Sequence, residues 1–351
     1  MALLSRVIDI PLFLEIDKDS VKNFTAILLS NNLSFRKVIV LFDRTTYKIA
    51  GEDICCSLSK VKTQVDKLYV EDCTLEFTEI IRKRIRESSC DVVLGVGGGK
   101  VLDTGKYAAA MEGINFISVP TSASNDGIAS PVAVIEKRGH KESLGAKMPL
   151  GIIADLEIIR TSPARNIRAG IGDLISNLSA IEDWKLASQK RGERFDNFAA
   201  LLSASASETL LSMDKLNILH YDFLRKLVEG LVMSGIAMGI AGSSRPCSGA
   251  EHKFSHALDA LLARPALHGE QVGVGTIVVT YLRGGDYKRF LSFLKRVGVP
   301  TSCKELGISE EKMLEALLYA PKTRPGRWTI LEDIKIDSKI AREALTKTGI
   351  I

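Results

Sequence analysis

The sequence predicts two domains, an N-terminal α/β domain with a parallel sheet over residues 1–161 and an all-helical C-terminal domain over residues 162–351. In the first part, short apolar runs that do not alternate with polar residues lie between amphipathic segments. That pattern is typical of a parallel sheet covered by helices on both faces. After Ser162-Pro163 most segments instead have helical periodicity. A chain of 351 residues also exceeds what one hydrophobic core usually serves.

The apolar runs and helical patterns predict the following elements, in chain order. The predicted strands are Val38–Phe42, Lys67–Val70, Asp91–Gly95, Asn115–Val119, Pro131–Ile135 and Gly151–Ala154. The predicted helices are Leu75–Glu87, Val101–Met111, Ile171–Lys190, Phe195–Leu211, Tyr221–Ile240, Ala250–Ala263, Gln271–Leu282, Lys288–Gly298 and Glu310–Tyr319. Two-domain chains of this kind usually have their active site in the cleft between the domains, and we expect one there.

The composition excludes several classes of protein. Hydrophobic residues make up 46% and charged residues 25%, which argues against disorder. The net charge of +5 comes without a block of Lys and Arg, so we expect no nucleic-acid partner. The longest apolar run, residues 230–242, is too short for a membrane span, and no secretory signal is visible. The six cysteines show no C-x-x-C spacing, which favours a reduced, cytoplasmic protein.

A glycine-rich turn follows the strand Asp91–Gly95. Gly97, Gly98 and Gly99 precede Lys100 and Val101, where the helical pattern begins. A strand, glycines and a helix together direct backbone N–H groups and a helix N-terminus at a phosphate, and glycines let the phosphate approach closely. A tight turn that only needs flexible residues is the alternative. The turn fits neither the G-x-G-x-x-G fingerprint nor the G-x-x-x-x-G-K-[ST] P-loop.

Polar residues follow two other predicted strands. Pro120–Gly127 has several hydroxyls and one ionisable group, Asp126, at the end of a strand, where ligands of parallel sheets bind. Asp43, followed by Arg44, ends the strand Val38–Phe42. A carboxylate there can accept hydrogen bonds from a ribose diol, although a simple turn-forming role is equally compatible with the sequence.

Three of the five histidines lie close together, which indicates a metal or catalytic site. His252 and His256 share one helix face at i, i+4, and His268 lies in what we expect to be the loop entering the next helix. The H-E-x-x-H motif of metalloproteases is absent. Asp173 is the best further ligand candidate, although a carboxylate at a helix start is also common without a metal. Spacing alone does not show which histidines bind a metal.

Five segments together resemble the dehydroquinate synthase-like superfamily, which includes iron- and zinc-dependent alcohol dehydrogenases. They are GVGGGKVLDTGKYAA, PTSASNDGIASPVAVI, AGIGDLISN, SGAEHKFSHALD and LHGEQVGVGT, in order and at compatible spacings. The resemblance implies a Rossmann-like N-terminal domain, a helical C-terminal domain and an active site between them.

The resemblance also implies a role for each matched residue. It implies that the glycine loop with Lys100 and Val101 holds the cofactor pyrophosphate. It further implies that Thr121, Ser124 and Ser130 contact the nicotinamide half, that Asp126 contacts substrate or nicotinamide ribose, that Asp173, His252 and His268 hold zinc, and that His256 contacts the substrate. An N/O ligand set also admits Fe, Co or Ni.

Within the superfamily the chain looks most like the sn-glycerol-1-phosphate dehydrogenases, which make the glycerophosphate backbone of archaeal ether lipids. The resemblance implies reduction of dihydroxyacetone phosphate by NADH or NADPH, with Asp173 and His256 as the catalytic residues, in a homo-oligomer without a membrane span. Lys141, Lys147 and Arg245 are the candidates for the substrate phosphate, and we favour Arg245, which lies just before the histidines. A glycerol dehydrogenase, a dehydroquinate synthase and a nucleotide-binding regulatory module remain the alternatives.

Overall fold

A computed structural model describes residues 8–263 and 266–351 of the chain. These residues divide into two compact units, and the chain passes from the first to the second at Ile158, close to the predicted border at 161. Two short stretches belong to the opposite unit from their neighbours in sequence. The first unit comprises the described residues up to Thr121, Gly127–Ile158 and Gly235–Ser243, and the second comprises Ser122–Asp126, Ile159–Ser234 and the described residues from Ser244.

The first unit is built on a six-stranded parallel sheet. This unit has eight strands, of which six form the sheet and β6 and β7 form a separate hairpin. The strands are β1 Phe13–Asp17, β2 Lys37–Phe42, β3 Gln64–Tyr69, β4 Val92–Gly97, β5 Asn115–Pro120, β6 Val132–Lys137, β7 His140–Gly145 and β8 Gly151–Asp155. The sheet order is β1-β8-β5-β4-β2-β3, and all its pairs are parallel. Strands β2 and β4 are almost wholly buried, which explains their unbroken apolar sequences. The predicted fold class is confirmed.

Three strands depart from the prediction, since β6 pairs differently and neither β1 nor β7 was predicted. The segment Pro131–Ile135, predicted as a strand of the sheet, lies in β6, which pairs antiparallel with β7 in a separate hairpin. Burial alternates along β6, so it covers the core with one face only. Strand β1 was not predicted, because it is an edge strand whose sequence mixes apolar and acidic residues.

Helices cover this sheet. Phe24, Ile54 and Leu58 pack against the buried aliphatic side chains of β2 and β4 in one hydrophobic core. The helical segments of this part of the chain are Phe24–Ser30, Arg44–Thr46, Tyr47–Gly51, Glu52–Lys60, Leu75–Ser88, Gly99–Met111 and Leu156–Thr161.

The second unit is helical. Its helices begin with Ala164–Ile175, called here the aspartate helix, and include Ala250–Leu261, called here the histidine helix. The predicted helix Ile171–Lys190 is instead the end of the aspartate helix and a second helix, divided at Ser176. No helix among the described residues is long and apolar enough to cross a membrane. The other helices from this point on are Asn177–Arg191, Asn197–Leu211, Tyr221–Ala241, His268–Leu282, Tyr287–Val297, Cys303–Leu306, Glu310–Thr323, Ile330–Asp333 and Ser338–Lys347.

Candidate active site

The glycine loop of the first unit is a tight turn in which one residue, Gly98, separates the strand from the helix. Strand β4 ends at Gly97, Gly98 is the N-cap, and the helix begins at Gly99. The first-turn N–H groups of a helix have no partner within it, so they are available to a phosphate. A Cβ on Gly97 would lie 2.7 Å from the Cβ of Val101, whose side chain is fully buried. Gly97 is therefore required by packing as well as suited to an approaching ligand, and only the backbone of Val101 can face one.

Two charged residues predicted near the cofactor already have protein partners. The Nζ of Lys100 donates to the carbonyl oxygen of Glu71 at 3.1 Å. The Oδ1 of Asp43 accepts from the N–H groups of Thr45 and Thr46 at 2.9 and 2.8 Å, which caps the short helix beginning at Arg44. The turn-forming role of Asp43 is thus observed, and it occupies one of the two carboxylate oxygens.

The polar loop after β5 begins beside the glycine loop. The N–H of Thr121 donates to the carbonyl oxygen of Gly97 at 3.0 Å, so the two strand ends are joined. The Ser130 hydroxyl donates to the carbonyl oxygen of Val132, and both Thr121 and Ser130 are buried. Ser124 belongs to the second unit and is half-buried.

The predicted metal ligands Asp173, His252 and His268 come together in the second unit. One ligand atom from each lies within 4.8 Å of the other two. The Oδ1 of Asp173 is 3.6 Å from the Nε2 of His252 and 3.7 Å from the Nε2 of His268. The backbone N–H of Asp126 donates to the other oxygen, Oδ2, at 2.9 Å and fixes the carboxylate.

Asp173 and His268 lie elsewhere in their helices than predicted. Asp173 is near the C-terminal end of the aspartate helix, not in its first turn, because that helix begins at Ala164. A carboxylate is electrostatically disfavoured at a helix C-terminus, so a dipole-satisfying role is excluded. His268 is the first residue of the helix His268–Leu282, not part of the preceding loop.

Glycines bring these two helices into backbone contact. A Cβ on Gly172 would lie 2.1 Å from the carbonyl oxygen of Gly269, and a Cβ on Gly269 would lie 1.8 Å from that of Ala169. Side chains at either position would push the helices apart, because such contacts are far below van der Waals distance. The residues next to these glycines are Asp173 and His268. The close approach therefore positions both ligands.

The three side chains fit a divalent metal ion. Bonds of about 2.0–2.2 Å in a tetrahedral arrangement place ligand atoms about 3.4 Å apart, close to the two distances from Asp173. These distances are longer than hydrogen bonds, so the imidazoles do not simply bond to the carboxylate. One carboxylate and two imidazoles are a usual set for a catalytic zinc, which leaves a position open for substrate.

The other ring nitrogens of the two histidines have their own partners. The Nδ1 of His252 is 3.0 Å from the Oε1 of Glu251, and the Nδ1 of His268 is 3.0 Å from the Oγ of Ser255. The Ser255 hydroxyl donates its hydrogen to Gln271 at 2.6 Å, so it must accept from His268. His268 therefore carries its hydrogen on Nδ1, which leaves a lone pair on Nε2 for a metal.

The charge balance of the cluster also favours a cation. Burial opposes ionisation of Asp173, but the neighbouring rings of His252 and His268 outweigh it and hold the pKa of its carboxyl below its usual range. Burial likewise opposes protonation of His252, but the carboxylates of Asp173 and Glu251 outweigh it and raise the pKa of His252 to about 9. Two buried carboxylates thus surround the imidazoles and favour positive charge.

His256 lies beside this cluster but outside it. Its ring centroid is 6.3 Å from that of His268, and its Nε2 is buried without a hydrogen-bond partner. Burial, then the positive charge of Arg324, lower the pKa of His256 well below its usual range. Asp173 is therefore grouped with His252 and His268, and His256 lies next to this cluster with an Nε2 that forms no hydrogen bond.

Arg245, predicted to bind a substrate phosphate, is engaged within the protein. Its guanidinium donates through Nε and Nη2 to the carboxylate of Glu193 and through Nη1 to the carbonyl oxygen of Trp328. It is only 3% exposed. Because its charge is already paired, Arg245 is poorly placed to bind an anionic substrate.

Sequence analysis missed several residues that support the site. Glu251 had a visible signal, because a carboxylate next to a candidate histidine ligand is a common orienting group. Ser255 and Gln271 had none, since their roles depend on packing between two helices. Arg324 and Arg327, whose charges reach His256, lie in a loop distant in sequence and match no motif.

Comparison with known proteins agrees with this fold. Residues 15–163 match the model of the iron-containing alcohol dehydrogenase family. The fold resembles a probable glycerol dehydrogenase from Sinorhizobium meliloti, with a TM-score of 0.78 and 23% identity over 98% of both chains. It also resembles glycerol dehydrogenase from Schizosaccharomyces pombe, with a TM-score of 0.79 and 23% identity over 99% of this chain and 94% of that one. The N-terminal part of the chain thus matches the iron-containing alcohol dehydrogenases, and the protein is an oxidoreductase.

Curated relatives narrow the class. The chain is 44% identical over 315 residues to a protein from Thermococcus sibiricus, with 90% of each covered, and 46% identical over 316 residues to one from Methanobrevibacter smithii, again with 90% of each covered. A protein from Pyrococcus furiosus is 43% identical, with 92% of this chain and 94% of that one covered. All three are named glycerol-1-phosphate dehydrogenases that use NAD(P)+. The chain belongs to the glycerol-1-phosphate dehydrogenase family.

Proposed function

We propose that this protein reduces dihydroxyacetone phosphate to sn-glycerol 1-phosphate. NADH or NADPH is the hydride donor, and one divalent metal ion, of which zinc is our first choice, takes part. The observation that carries the proposal is the cluster of the buried Asp173 and His252 with the half-buried His268, which has His256 beside it. The names of the relatives support the substrate and the cofactor.

The ligand residues hold the metal and orient the substrate. A divalent ion at this cluster supplies Lewis-acid polarisation of the substrate carbonyl. The Asp126 N–H and the Glu251 carboxylate keep Asp173 and His252 in fixed orientations, so little reorganisation is needed when substrate arrives. Fe, Co or Ni would also suit this donor set.

His256 acts on the substrate oxygen. Its Nε2 is buried and has no partner in the protein, so a substrate hydroxyl or carbonyl can supply the missing hydrogen bond. When the carbonyl is reduced, its oxygen takes up a proton. His256 would relay this proton from solvent, giving one from Nε2 to the substrate oxygen, directly or through one water, while its Nδ1 takes up another, so that the ring stays neutral.

Most of the cofactor groups lie in the first unit, and Ser124 belongs to the second. The N-terminal amides of the helix Gly99–Met111 bind the pyrophosphate, and Thr121, Ser124 and Ser130 contact the nicotinamide half. Asp43 accepts a hydrogen bond from the adenosine ribose through the oxygen that does not cap the helix at Arg44. The reduced nicotinamide supplies the hydride, and the protein supplies position and electrostatics.

The product suits a cytoplasmic step in the synthesis of the glycerophosphate backbone of ether lipids, and we expect a homo-oligomer. These parts of the proposal follow from the resemblance and from the absence of disulfides among the described cysteines.

A substrate comparison tests the function. The purified, metal-loaded chain is assayed with dihydroxyacetone phosphate, dihydroxyacetone, glycerol and a heptulosonate phosphate. We expect kcat/KM for dihydroxyacetone phosphate to exceed that for dihydroxyacetone by at least about 10³-fold, because a site built for a phosphate leaves buried donors unpaired without it. Equal use of both triose substrates would indicate a glycerol dehydrogenase, and turnover of the heptulosonate phosphate would indicate a dehydroquinate synthase.

A further inference from the structure

An arginine cluster in the second unit has no part in metal binding. Arg324 and Arg327 lie after the helix Glu310–Thr323, in a segment with the sequence RPGRW. Arg327 reaches the loop that precedes the histidine helix. Its Nη2 donates to the Oγ of Ser244 at 2.9 Å and its Nη1 to the carbonyl oxygen of Ser248.

The charges in this cluster are not balanced. Arg245 is paired with Glu193, and the buried Lys253 with Glu332. Arg327 in contrast donates only to neutral oxygens and forms no ion pair with any described carboxylate. Burial, then the positive charges of Arg324 and Arg245, lower the pKa of Arg327 to about 9. A guanidinium in this position gains stability from an added anion, which supplies the missing opposite charge.

Besides the indole nitrogen of Trp328, two buried polar atoms next to the arginines lack partners. The Oγ of Ser248 has no hydrogen bond, although the carbonyl of the same residue accepts from Arg327. The Nε2 of His256 is the second, and the charges of both Arg324 and Arg327 act on that ring. Buried polar atoms without partners are rare in folded proteins, so a bound molecule with several oxygen atoms is the simplest explanation for both.

The segment with the arginines is anchored to the histidine helix. The Nζ of Lys253, one residue from His252, donates to the carbonyl oxygen of Arg327 at 2.9 Å. The N–H of Ile330 donates to the Oδ1 of the buried Asp183, whose other oxygen accepts from Ala250 at the start of that helix. Arg327 is therefore held at a fixed place relative to the catalytic histidines.

We propose that Arg327 and Arg324 form the subsite for the phosphate group of the substrate, with the Ser248 hydroxyl as a further donor. The inference rests on the proposed function and assigns the phosphate to different residues from Arg245. The N-terminus of the histidine helix does not provide this subsite, because Glu251 and Asp183 already accept from Gly249 and Ala250. His256 interacts electrostatically with the arginines and with the histidines of the ligand cluster. We expect it to contact the reacting end of the same substrate molecule.

Discrimination between a phosphorylated and an unphosphorylated substrate tests the subsite. The ratio of kcat/KM for dihydroxyacetone phosphate to that for dihydroxyacetone is measured for the metal-loaded wild type, Arg327→Gln, Arg324→Gln and Arg327→Lys. We expect each Gln variant to lower the ratio by about 10- to 100-fold through a higher KM for the phosphorylated substrate, since each removes charge-assisted hydrogen bonds to phosphate. Arg327→Lys should have a ratio between those of Arg327→Gln and the wild type, because lysine keeps the charge but lacks the planar guanidinium.

Two controls separate the subsite from general structure. Arg289→Gln removes an exposed arginine that pairs with Glu208, and its ratio should equal that of the wild type. Inorganic phosphate binding to the metal-loaded protein is measured by calorimetry, and we expect at least about tenfold weaker binding in Arg324→Gln. Phosphate binding by Arg324→Gln tests the subsite even if Arg327→Gln does not fold.

Three results would overturn the assignment. A wild type that prefers the phosphorylated substrate, with both Gln variants keeping that preference, would place the subsite elsewhere while leaving the proposed function intact. Equal losses on both substrates, with phosphate binding unchanged, would mean that the arginines are structural. A wild type without any preference would refute the proposed function itself.

Discussion

The glycine loop of the first unit and the metal cluster of the second present their functional groups in different ways. The loop offers backbone N–H groups. Packing also requires a glycine at position 97, because a Cβ on Gly97 would clash with the side chain of Val101. The cluster offers three side chains, Asp173, His252 and His268, each held by a further polar group. A backbone site depends on no single side chain, whereas a three-ligand site loses its metal when one ligand is removed. We therefore expect substitutions in the cluster to have much larger effects than substitutions at the loop.

The largest effect should follow Asp173→Asn. The amide is a much weaker ligand than the carboxylate and removes the negative charge that the cluster provides. We expect loss of the bound metal and a fall in kcat of at least about 10⁴-fold, with the far-UV circular dichroism spectrum kept. Asp53→Asn, an exposed acid in the first turn of Glu52–Lys60, is the matched control and should behave as wild type. Full activity of Asp173→Asn would exclude Asp173 from the site.

A smaller loss is expected for His256→Ala. The ring is outside the ligand cluster, so the metal should stay at wild-type content while kcat falls by about 10²–10⁴-fold, as for a general acid–base residue. The measurement is steady-state turnover on dihydroxyacetone phosphate, with zinc content determined on the same sample. Turnover within threefold of wild type would refute the assigned role.

Gly97→Ala tests the glycine loop. The added Cβ would lie 2.7 Å from Val101, so the helix Gly99–Met111 must shift. We expect the free energy of unfolding to fall by about 1–3 kcal/mol and the KM for NADH to rise, with metal content unchanged. Gly145→Ala is the control, because a Cβ there meets nothing within 4 Å. Urea unfolding of both variants checks this, and equal midpoints would contradict it.

The smallest effects concern the residues at the ends of the loop and of strand β2. Lys100→Ala should change the KM for either cofactor by less than about tenfold, because its Nζ donates to Glu71. Asp43→Ser keeps a helix-capping hydroxyl but removes the charge that repels the 2′-phosphate of NADPH, so it should shift preference toward NADPH. Arg44→Ala should shift it toward NADH. An NADH/NADPH ratio unchanged in both variants would mean that this strand end does not face the adenosine ribose.

The same comparison explains how much the sequence could predict. Strands β2 and β4 and the glycine loop follow from local patterns, because buried strands are apolar throughout and a glycine run after a strand has few other uses. The three candidate ligand residues do come together as expected, but Asp173 and His268 were assigned to the wrong parts of their helices. Their positions depend on the contact between Gly172 and Gly269, which no local pattern encodes.

The sequence also could not predict which charged side chains form ion pairs. Arg245 and Arg327 are both arginines near the histidines, and only the structure shows that the first forms an ion pair with Glu193 and the second forms none with any described carboxylate. Strand β1 was not predicted for a different reason, since it lies at the edge of the sheet and its sequence mixes apolar and acidic residues.

Metal content in the three histidine variants tests the central claim most directly. His252→Ala, His268→Ala and His256→Ala are purified in the same way and their zinc content is measured by elemental analysis, with protein concentration determined independently. Our account predicts that the first two variants lose the metal and that His256→Ala keeps about one ion per chain, because only His252 and His268 have ligand nitrogens close to Asp173. Loss of metal from His256→Ala, or full occupancy in the other two, would contradict it.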